Sequence, residues 1–479
     1  MTWETVIGLE VHAQLSTYSK LFSSSSTQYG APENSQTSFI DAGLPGTLPV
    51  LNQKAILLAV RFGLAIHAQI NDLSYFERKN YFYPDLPKGY QISQFRRPIV
   101  GQGYLDIICN TNTSKRVIIE RAHLEEDAGK SLHDTHDKYT GIDLNRAGTP
   151  LLEIVTTPCL SSAEEAVNYL KTLHQLLRFL NICDGNMQEG SFRCDVNLSI
   201  KRKGAPQLGT RTELKNLNSF RFIEKAIAFE QQRHQDLLES GEKIIQQTRL
   251  YCPDTNTTQP MRDKENESDY RYFTDPDLLP IKLSIDELNQ IKINMPPLPL
   301  AIKQRIMDDD GLTQDDADFL LSSPAHVCFY DAVKTNSRAP ARTIINWLKG
   351  TYTAVLNELN LSFENPPISA ARLGSLLNYL TDNTISAKIA KQIFSKMMTN
   401  NKTVDEIITE EGYQSVDDDS QLETLIFAVI KQYPTQAAEF RAGKEKLLSF
   451  FIGQIMKETR GQAAPEKVMV LLQRCLARG

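Results

Sequence analysis

Near the N-terminus, Ile7-Gly8-Leu9-Glu10-Val11-His12 reads as a short strand. Side chains alternate along a strand, so Gly8, Glu10 and His12 share one face. A carboxylate and an imidazole beside a glycine suit a divalent cation with an anionic ligand close to the backbone. A solvated edge strand would carry the same residues. Further clusters in the N-terminal half weigh against that simpler reading. His123-Leu124-Glu125-Glu126-Asp127 packs three consecutive acids beside a histidine. Glu153 interrupts the apolar run Leu151-Leu152-Glu153-Ile154-Val155. An isolated carboxylate there is costly to bury unless paired or metal-bound. In an extended chain Ser191, Arg193, Asp195 and Asn197 lie on one face, and Glu213 and Lys215 follow in a fourth cluster. Acids drawn from several strands, with one imidazole, match a hard-cation site such as Mg2+. Lys79, Arg193 and Lys215 are suited to hold phosphate oxygens.

Two motifs narrow the chemistry. Gly129-Lys130-Ser131 looks like the end of a P-loop, but position 124, where that motif needs its first glycine, is Leu124. The acids at 125–127 would also repel phosphate, so nucleotide binding here calls for a sheet-and-metal cradle. No Gly-x-Ser-x-Gly elbow is present, and no amidase nucleophile stands out. The segment from Lys79 to Gln91 interleaves Tyr81, Phe82, Tyr83 and Tyr90 with lysines and prolines. That composition suits base stacking or a polar passage, and equally a rigid surface loop.

The elements that must position these residues are partly visible. Strands are expected at 117–119 and 196–200. A helix is expected at 162–180, where Ser162 and Glu165 have capping-box spacing and Ala166, Leu170, Leu173, Leu177 and Leu180 form an apolar stripe. A second helix is expected at 220–238. The N-terminal half therefore reads as α+β with a mainly antiparallel sheet. Three prolines among residues 296–299 mark a boundary. Helices are expected beyond it at 343–359, 371–380 and 385–397. Residues 403–419 read as an acidic, irregular linker, and 420–479 as a small helical bundle. Domains of 1–294, 295–404 and 405–479 are expected.

Composition sets the outer bounds. The 479 residues exceed one ordinary domain, and 41% hydrophobic with 23% charged residues describes a globular chain. A net charge of -6 announces no global nucleic-acid field. From 434 to 479, however, eight Lys or Arg face four Asp or Glu, a local excess suited to phosphate contacts. Seven scattered cysteines without a Cys-x-x-Cys pair suit a reducing cytoplasm. No signal peptide or membrane-length apolar run is visible.

These motifs, in order, resemble the B-subunit family of bacterial aspartyl/glutamyl-tRNA amidotransferases. The resemblance rests on Gly8-Leu9-Glu10-Val11-His12, Arg78-Lys79-Asn80-Tyr81-Phe82-Tyr83-Pro84-Asp85, the 123–130 cluster, Asp143-Leu144-Asn145-Arg146 and Glu213-Leu214-Lys215-Asn216-Leu217-Asn218-Ser219. Asp269-Tyr270-Arg271-Tyr272-Phe273 and Gly453-Gln454-Ile455-Met456-Lys457 extend it over essentially the whole chain. It implies a glutamine-synthetase/guanido-kinase-like catalytic cradle, then a helical domain and a helical tRNA-binding tail. The implied reaction phosphorylates the side-chain carboxylate of misacylated Glu-tRNA(Gln) or Asp-tRNA(Asn) with ATP and Mg2+. Ammonia from a separate glutaminase (amidase) subunit then forms the amide, and a further small subunit makes up a cytoplasmic heterotrimer.

By motif position, His12, Glu125 and Glu153 resemble the principal metal ligands, and Glu10, Asp195 and Glu213 a second set. Glu125, Glu10 and Lys79 are the implied catalytic residues. Ser191, Arg193 and Lys215 are expected at ATP, and Lys79, Lys88, Glu126 and Tyr83 along an ammonia route. Many members carry a cysteine-based zinc site near residues 22–43. This chain has no cysteine there, so no structural zinc is expected and packing alone should hold the loop. Two rivals remain: a free-standing carboxylate–amine ligase for a small molecule, and an RNA-binding scaffold without catalysis. The basic tail and missing ammonia source oppose the first. Glu10, His12, Glu125 and Glu153 oppose the second.

Overall fold

A computed structural model describes residues 2–109, 113–133, 138–263, 267–413, 419–441, 444, 447–459 and 465–478. The chain divides into two compact units, 1–299 and 300–479.

The first unit is built on a sheet of eight strands among the described residues. In chain order these are β1 (Trp3–Gln14), β2 (Gly103–Ile108), β3 (Ser114–Glu126), β4 (Pro150–Thr156), β5 (Phe192–Arg202), β6 (Thr212–Lys215), β7 (Gln247–Cys252) and β8 (Thr257–Asp263). They lie side by side as β8-β7-β6-β5-β1-β4-β3-β2. Every neighbouring pair is antiparallel except β6 and β7, which run parallel. The two expected strands are the middles of β3 and β5.

Alternation decides which face is which. Leu9, Val11 and Ala13 of β1, Leu152 and Ile154 of β4, and Ala122 and Leu124 of β3 are buried in the main core. Helices α1 (Gln53–Ala65), α2 (Ala163–Phe179) and α3 (Phe220–Glu239) contribute the facing apolar residues. The stripe on α2 is fully sequestered: Ala166, Leu170, Leu173, Leu177 and Leu180 are all 0% exposed. Ser162 caps α2 by accepting from the Glu165 backbone N–H at 3.1 Å. The Glu165 carboxylate reaches Ser161 rather than Ser162, bonding its N–H at 2.7 Å. Glu10, His12, Glu125 and Glu153 occupy the alternate positions and so line the opposite face.

The loop after β1 departs from expectation. Packing is not its only support, because a buried ion pair locks it. Lys20 and Asp41 side chains are 0% and 3% exposed, with Nζ to Oδ2 at 3.1 Å. Asp41 also accepts from Ser23 Oγ at 2.9 Å and the Ser38 N–H at 2.8 Å, and Lys20 donates to the Leu144 carbonyl at 3.2 Å. Gly148 fits against Asp41 only because it lacks a Cβ, which would sit 2.9 Å from Oδ1 at a φ of +84°. Burial pulls the Lys20 ammonium below its ordinary range, against the attraction of Asp41. Asp41→Asn is expected to cost about 2 kcal/mol, because it leaves a buried ammonium with a neutral partner. Chemical denaturation checks this, and an unchanged midpoint would remove the ion pair from the account of the loop.

The second unit is helical. It includes Pro299–Asp308, Gln314–Leu320, Pro324–Thr335, Ala370–Thr381 and Ala387–Met397. The helix expected at 343–359 is Ala341–Trp347 and Thr353–Glu358 joined through a π-helical turn, Leu348–Tyr352. The expected linker at 403–419 is corrected in its first part, where Val404–Glu411 is a helix. Thr403 and Glu406 form a full capping box there, and acids in the first turn suit the helix dipole. Residues 414–418 lie outside the described residues. Asp419–Gln432, Pro434–Arg441, Leu447–Glu458 and Pro465–Arg478 form the last group of helices. Leu422, Ile426, Phe451, Ile455, Leu472 and Leu476 share their core. Of the eight basic tail residues, Lys446 and Arg460 lie outside the described residues, as do the side chains of Arg441, Lys467 and Arg478.

Candidate active site

Strand register assembles the site. In β1, Glu10 stands opposite Asp195 and His12 opposite Arg193 of β5. On the other side His12 stands opposite Glu153 of β4, and Glu153 opposite His123 of β3. Laterally paired residues share a face, so a row of His123, Glu153, His12 and Arg193 crosses four adjacent strands. Glu10 and Asp195 lie beside this row, and Glu125 flanks it on β3.

His12 Nε2 lies 3.4 Å from Glu153, 3.6 Å from Glu125 and 3.7 Å from Glu10. His123 Nε2 lies 3.2 Å from Glu153 and 3.9 Å from Glu125. Among the described residues, two groups of side chains could each hold a metal ion: Glu10, His12 and Asp195, and His12, Glu125 and Glu153. Within each group the donor atoms lie within 4.8 Å of one another. Glu213 is in neither group; Thr248 Oγ1 donates to its Oε2 at 2.8 Å.

The electrostatics fit a divalent cation. Burial, with the neighbouring charge of Glu153, pushes the Glu10 carboxyl up to about 7. Burial and Glu153 also raise Glu125. Burial opposes a charged His12, but Glu153, Glu125 and Glu10 overcome it and hold the imidazole up at about 9. Glu153 stays well below its ordinary range despite burial, because His123 and His12 flank it. Glu10 and Glu125 are thus under-compensated by the chain's own cations. Oxygen donors around one imidazole are an acceptable Mg2+ set, and their excess negative charge is what such an ion neutralises.

These residues line a cavity of about 1410 Å3, well above the roughly 300–1,000 Å3 of a site for one small ligand. Lys79, Tyr81, Tyr83, Arg193, Asp195, Glu213 and Lys215 also line it. The Lys79 ammonium sits 4.9 Å from the Tyr270 ring centre and 5.8 Å from that of Tyr81. Burial opposes its charge, yet Glu125 and other neighbours raise it above the ordinary lysine range. Lys215 bonds Asp195 and lies 3.7 Å from Glu213. Gly8 is on the wall, but a Cβ there would keep 3.7 Å to its nearest neighbours, so the fold itself does not require the glycine.

Ser191 does not reach the cavity lining. Its hydroxyl bonds Asp184 and also accepts from the Asn186 N–H at 3.0 Å, inside the turn that precedes β5. Extended geometry begins only at Phe192, so the alternation that carries Arg193, Asp195 and Asn197 does not extend back to Ser191. Lys88 and Glu126 pair with each other outside the lining residues. The Ile92 N–H donates to Glu126 at 2.9 Å.

The sequence assigns no individual role to several lining residues. Asp127 lies within the 123–130 motif, but its task is seen only in space: it accepts from Arg193 and Gln14 at 2.9 and 2.8 Å and so fixes the guanidinium. Phe95 and Tyr272 stack at 4.4 Å with an interplanar angle of 8°. The N–H groups of Phe95 and Arg96 are held by buried Glu77 at 3.0 and 2.8 Å.

The family of the GatB/GatE catalytic domain matches residues 5–289, and that of the GatB domain matches 328–476. A protein from Legionella pneumophila strain Philadelphia 1, named as the B subunit of aspartyl/glutamyl-tRNA(Asn/Gln) amidotransferase, is 66% identical over 476 residues. That alignment covers 99% of this chain and 100% of the relative. The chain belongs to this B-subunit family. Members so named from Thioalkalivibrio sulfidiphilus and Nitrosococcus oceani are 52% and 50% identical, over 99% and 100% of this chain and the whole of each relative. Membership makes the chain a component of a glutamine-hydrolysing carbon–nitrogen ligase. No described helix is long and apolar enough to cross a membrane.

Proposed function

We propose that this chain activates the side-chain carboxylate of misacylated Glu-tRNA(Gln) or Asp-tRNA(Asn) with ATP. A carboxylate resists amination because its leaving group would be oxide. The carboxylate oxygen takes the γ-phosphoryl group and ADP leaves. Ammonia then attacks the acyl carbon, phosphate departs with the C–O electron pair, and nitrogen loses a proton. The observation that carries the reading is the pair of donor groups sharing His12. Bound there, Mg2+ would screen the repulsion between carboxylate and triphosphate and polarise the transferring group.

The chain's own residues supply the remainder. His12, Glu125 and Glu153 would hold the principal ion, and Glu10 and Asp195, with Glu213 beside them, the second. Arg193, fixed by Asp127, and Lys215, both on the cavity wall, would meet phosphate oxygens. Lys79 brings a positive charge to the wall near Glu125. The cavity's size supports a nucleotide and an aminoacyl end together. A glutamine-synthetase/guanido-kinase-like cradle suits this use of the sheet.

Ammonia would come from a partner glutaminase (amidase), tethered by a small third subunit, along a route lined by Lys79, Lys88, Glu126 and Tyr83. The basic residues of 434–479 would hold the tRNA backbone without reading sequence. The whole heterotrimer would work in the cytoplasm. Assays with both misacylated tRNAs test the reading. Misacylated tRNA should trigger cleavage of ATP to ADP and phosphate, and ammonium should replace glutamine as nitrogen donor. Release of AMP and pyrophosphate would contradict phosphoryl activation.

A further inference from the structure

The carboxylates offered to the second cation already have a cation of their own. Lys215 Nζ bonds Asp195 directly and stands 3.7 Å from Glu213 Oε1. Asp195 belongs to the group with Glu10 and His12. The arrangement is built into the sheet. Asn197 of β5 faces Glu213 of β6, and alternation carries Asp195 and Lys215 onto that same face. Thr248, opposite Glu213 on β7, holds the far carboxylate oxygen at 2.8 Å. Lys79 differs: the contacts that position it are the rings of Tyr81 and Tyr270.

An ammonium and a divalent cation cannot both sit at contact distance from one carboxylate without strong mutual repulsion. A triphosphate offers the ammonium another anion within the same cavity, reached by a flexible four-carbon stem. Resting on the proposed phosphoryl-transfer reading, we infer that Lys215 is an internal counter-cation that keeps the second metal site closed until a polyphosphate draws it away. Nucleotide and second cation then bind cooperatively, and the site holds its cation only weakly when no nucleotide is present. Such coupling is reciprocal: the second cation must tighten nucleotide binding by the same factor.

Mn2+ binding to the full-length chain in its assembled amidotransferase tests this, followed by the electron paramagnetic resonance of free Mn2+. Without nucleotide, wild type should show one tight and one weak Mn2+. Lys215→Met should tighten the weak one at least about tenfold, since a contact charge has been removed. Lys215→Arg should leave it weak. Adding β,γ-imido-ATP should tighten the weak site in wild type and add little in Lys215→Met. Lys79→Met removes equal charge from the same cavity without touching Asp195 or Glu213, and so measures the general field effect. A Lys215→Met effect no larger than that of Lys79→Met overturns the inference alone. Absence of Mn2+ binding in wild type and variants overturns both the inference and the reading beneath it. Circular dichroism confirms that each variant is folded, and Lys215→Arg carries the nucleotide-coupling test by itself if Lys215→Met is not.

Discussion

On the proposed carboxylate activation, Glu125→Gln should reduce amide formation on misacylated tRNA about a thousandfold, while glutamine hydrolysis by the proposed partner glutaminase continues. The substitution keeps the side chain's size and its reach toward His12, Ser93 and His123, which lie 3.6, 3.4 and 3.9 Å from the carboxylate. What it removes is one of the anionic donors in the His12, Glu125 and Glu153 group. A neutral amide presents one carbonyl oxygen to a cation where the carboxylate presents two, and carries no charge. It also leaves Lys79 without its chief electrostatic neighbour. The loss should appear in the chemical step, as a lowered kcat with added ammonium as well as with glutamine. Unchanged transamidation would remove Glu125 from the catalytic machinery. A defect seen with glutamine and absent with ammonium would move Glu125 to ammonia delivery.

That expectation rests on a convergence that the sequence shows only in part. Alternation places Glu10 and His12 on one face of β1, and it places Leu9 and Val11 in the core just as directly. Pairing is a different matter. That Glu153 lies between His12 and His123 depends on the order β1-β4-β3, which brings His12 beside residues more than a hundred positions away. Only the recurrence of family motifs suggested that those segments meet.

Where local pattern failed, a specific competing interaction explains it. Ser191 reads as the next alternate position before Arg193, yet a turn fixed by Asp184 and Asn186 claims its hydroxyl. Residues 403–419 read as acidic linker, yet Asp405 and Glu406 are what a helix N-terminus favours. Lys20 and Asp41 carry no periodic signal, because their pairing depends on the path of an irregular loop. The parallel pairing of β6 with β7 is equally hidden, since it follows from α3 crossing between those strands. Sequence thus reveals which residues are chemically unusual, while long-range pairing decides which of them meet.

The support behind β6 yields the largest stability effect. This four-residue strand carries Glu213 and Lys215, too little chain to hold itself. Behind it, Glu230 of α3 is fully buried, with Arg233 Nε at 3.0 Å, His234 Nε2 at 3.1 Å, Thr258 Oγ1 at 2.8 Å and Arg249 Nε at 3.5 Å. His234 in turn meets Thr212 Oγ1, at the start of β6, at 2.7 Å. One carboxylate thus ties α3 to β7 and β8 directly and to β6 through His234. Glu230→Leu should cost about 3–5 kcal/mol, because buried cations lose their compensation while the apolar replacement satisfies none of the donors. Urea unfolding at pH 7 measures it; a loss below about 1 kcal/mol would make the cluster incidental to stability.

The acid dependence follows with a definite sign. Burial opposes the charge, but hydrogen bonds from His234, Arg233 and Thr258 hold the Glu230 carboxyl down at about 2, against an ordinary 4.5. A carboxyl lowered on folding stabilises the fold fully above its unfolded value and loses that contribution as pH falls through its folded value. The window is therefore pH 4.5 down to about 2, and the contribution about 3 kcal/mol. The stability difference between wild type and Glu230→Leu should hold from pH 7 to 5 and narrow below 4.5. A constant difference across that window would mean that Glu230 acts through packing and not through its charge.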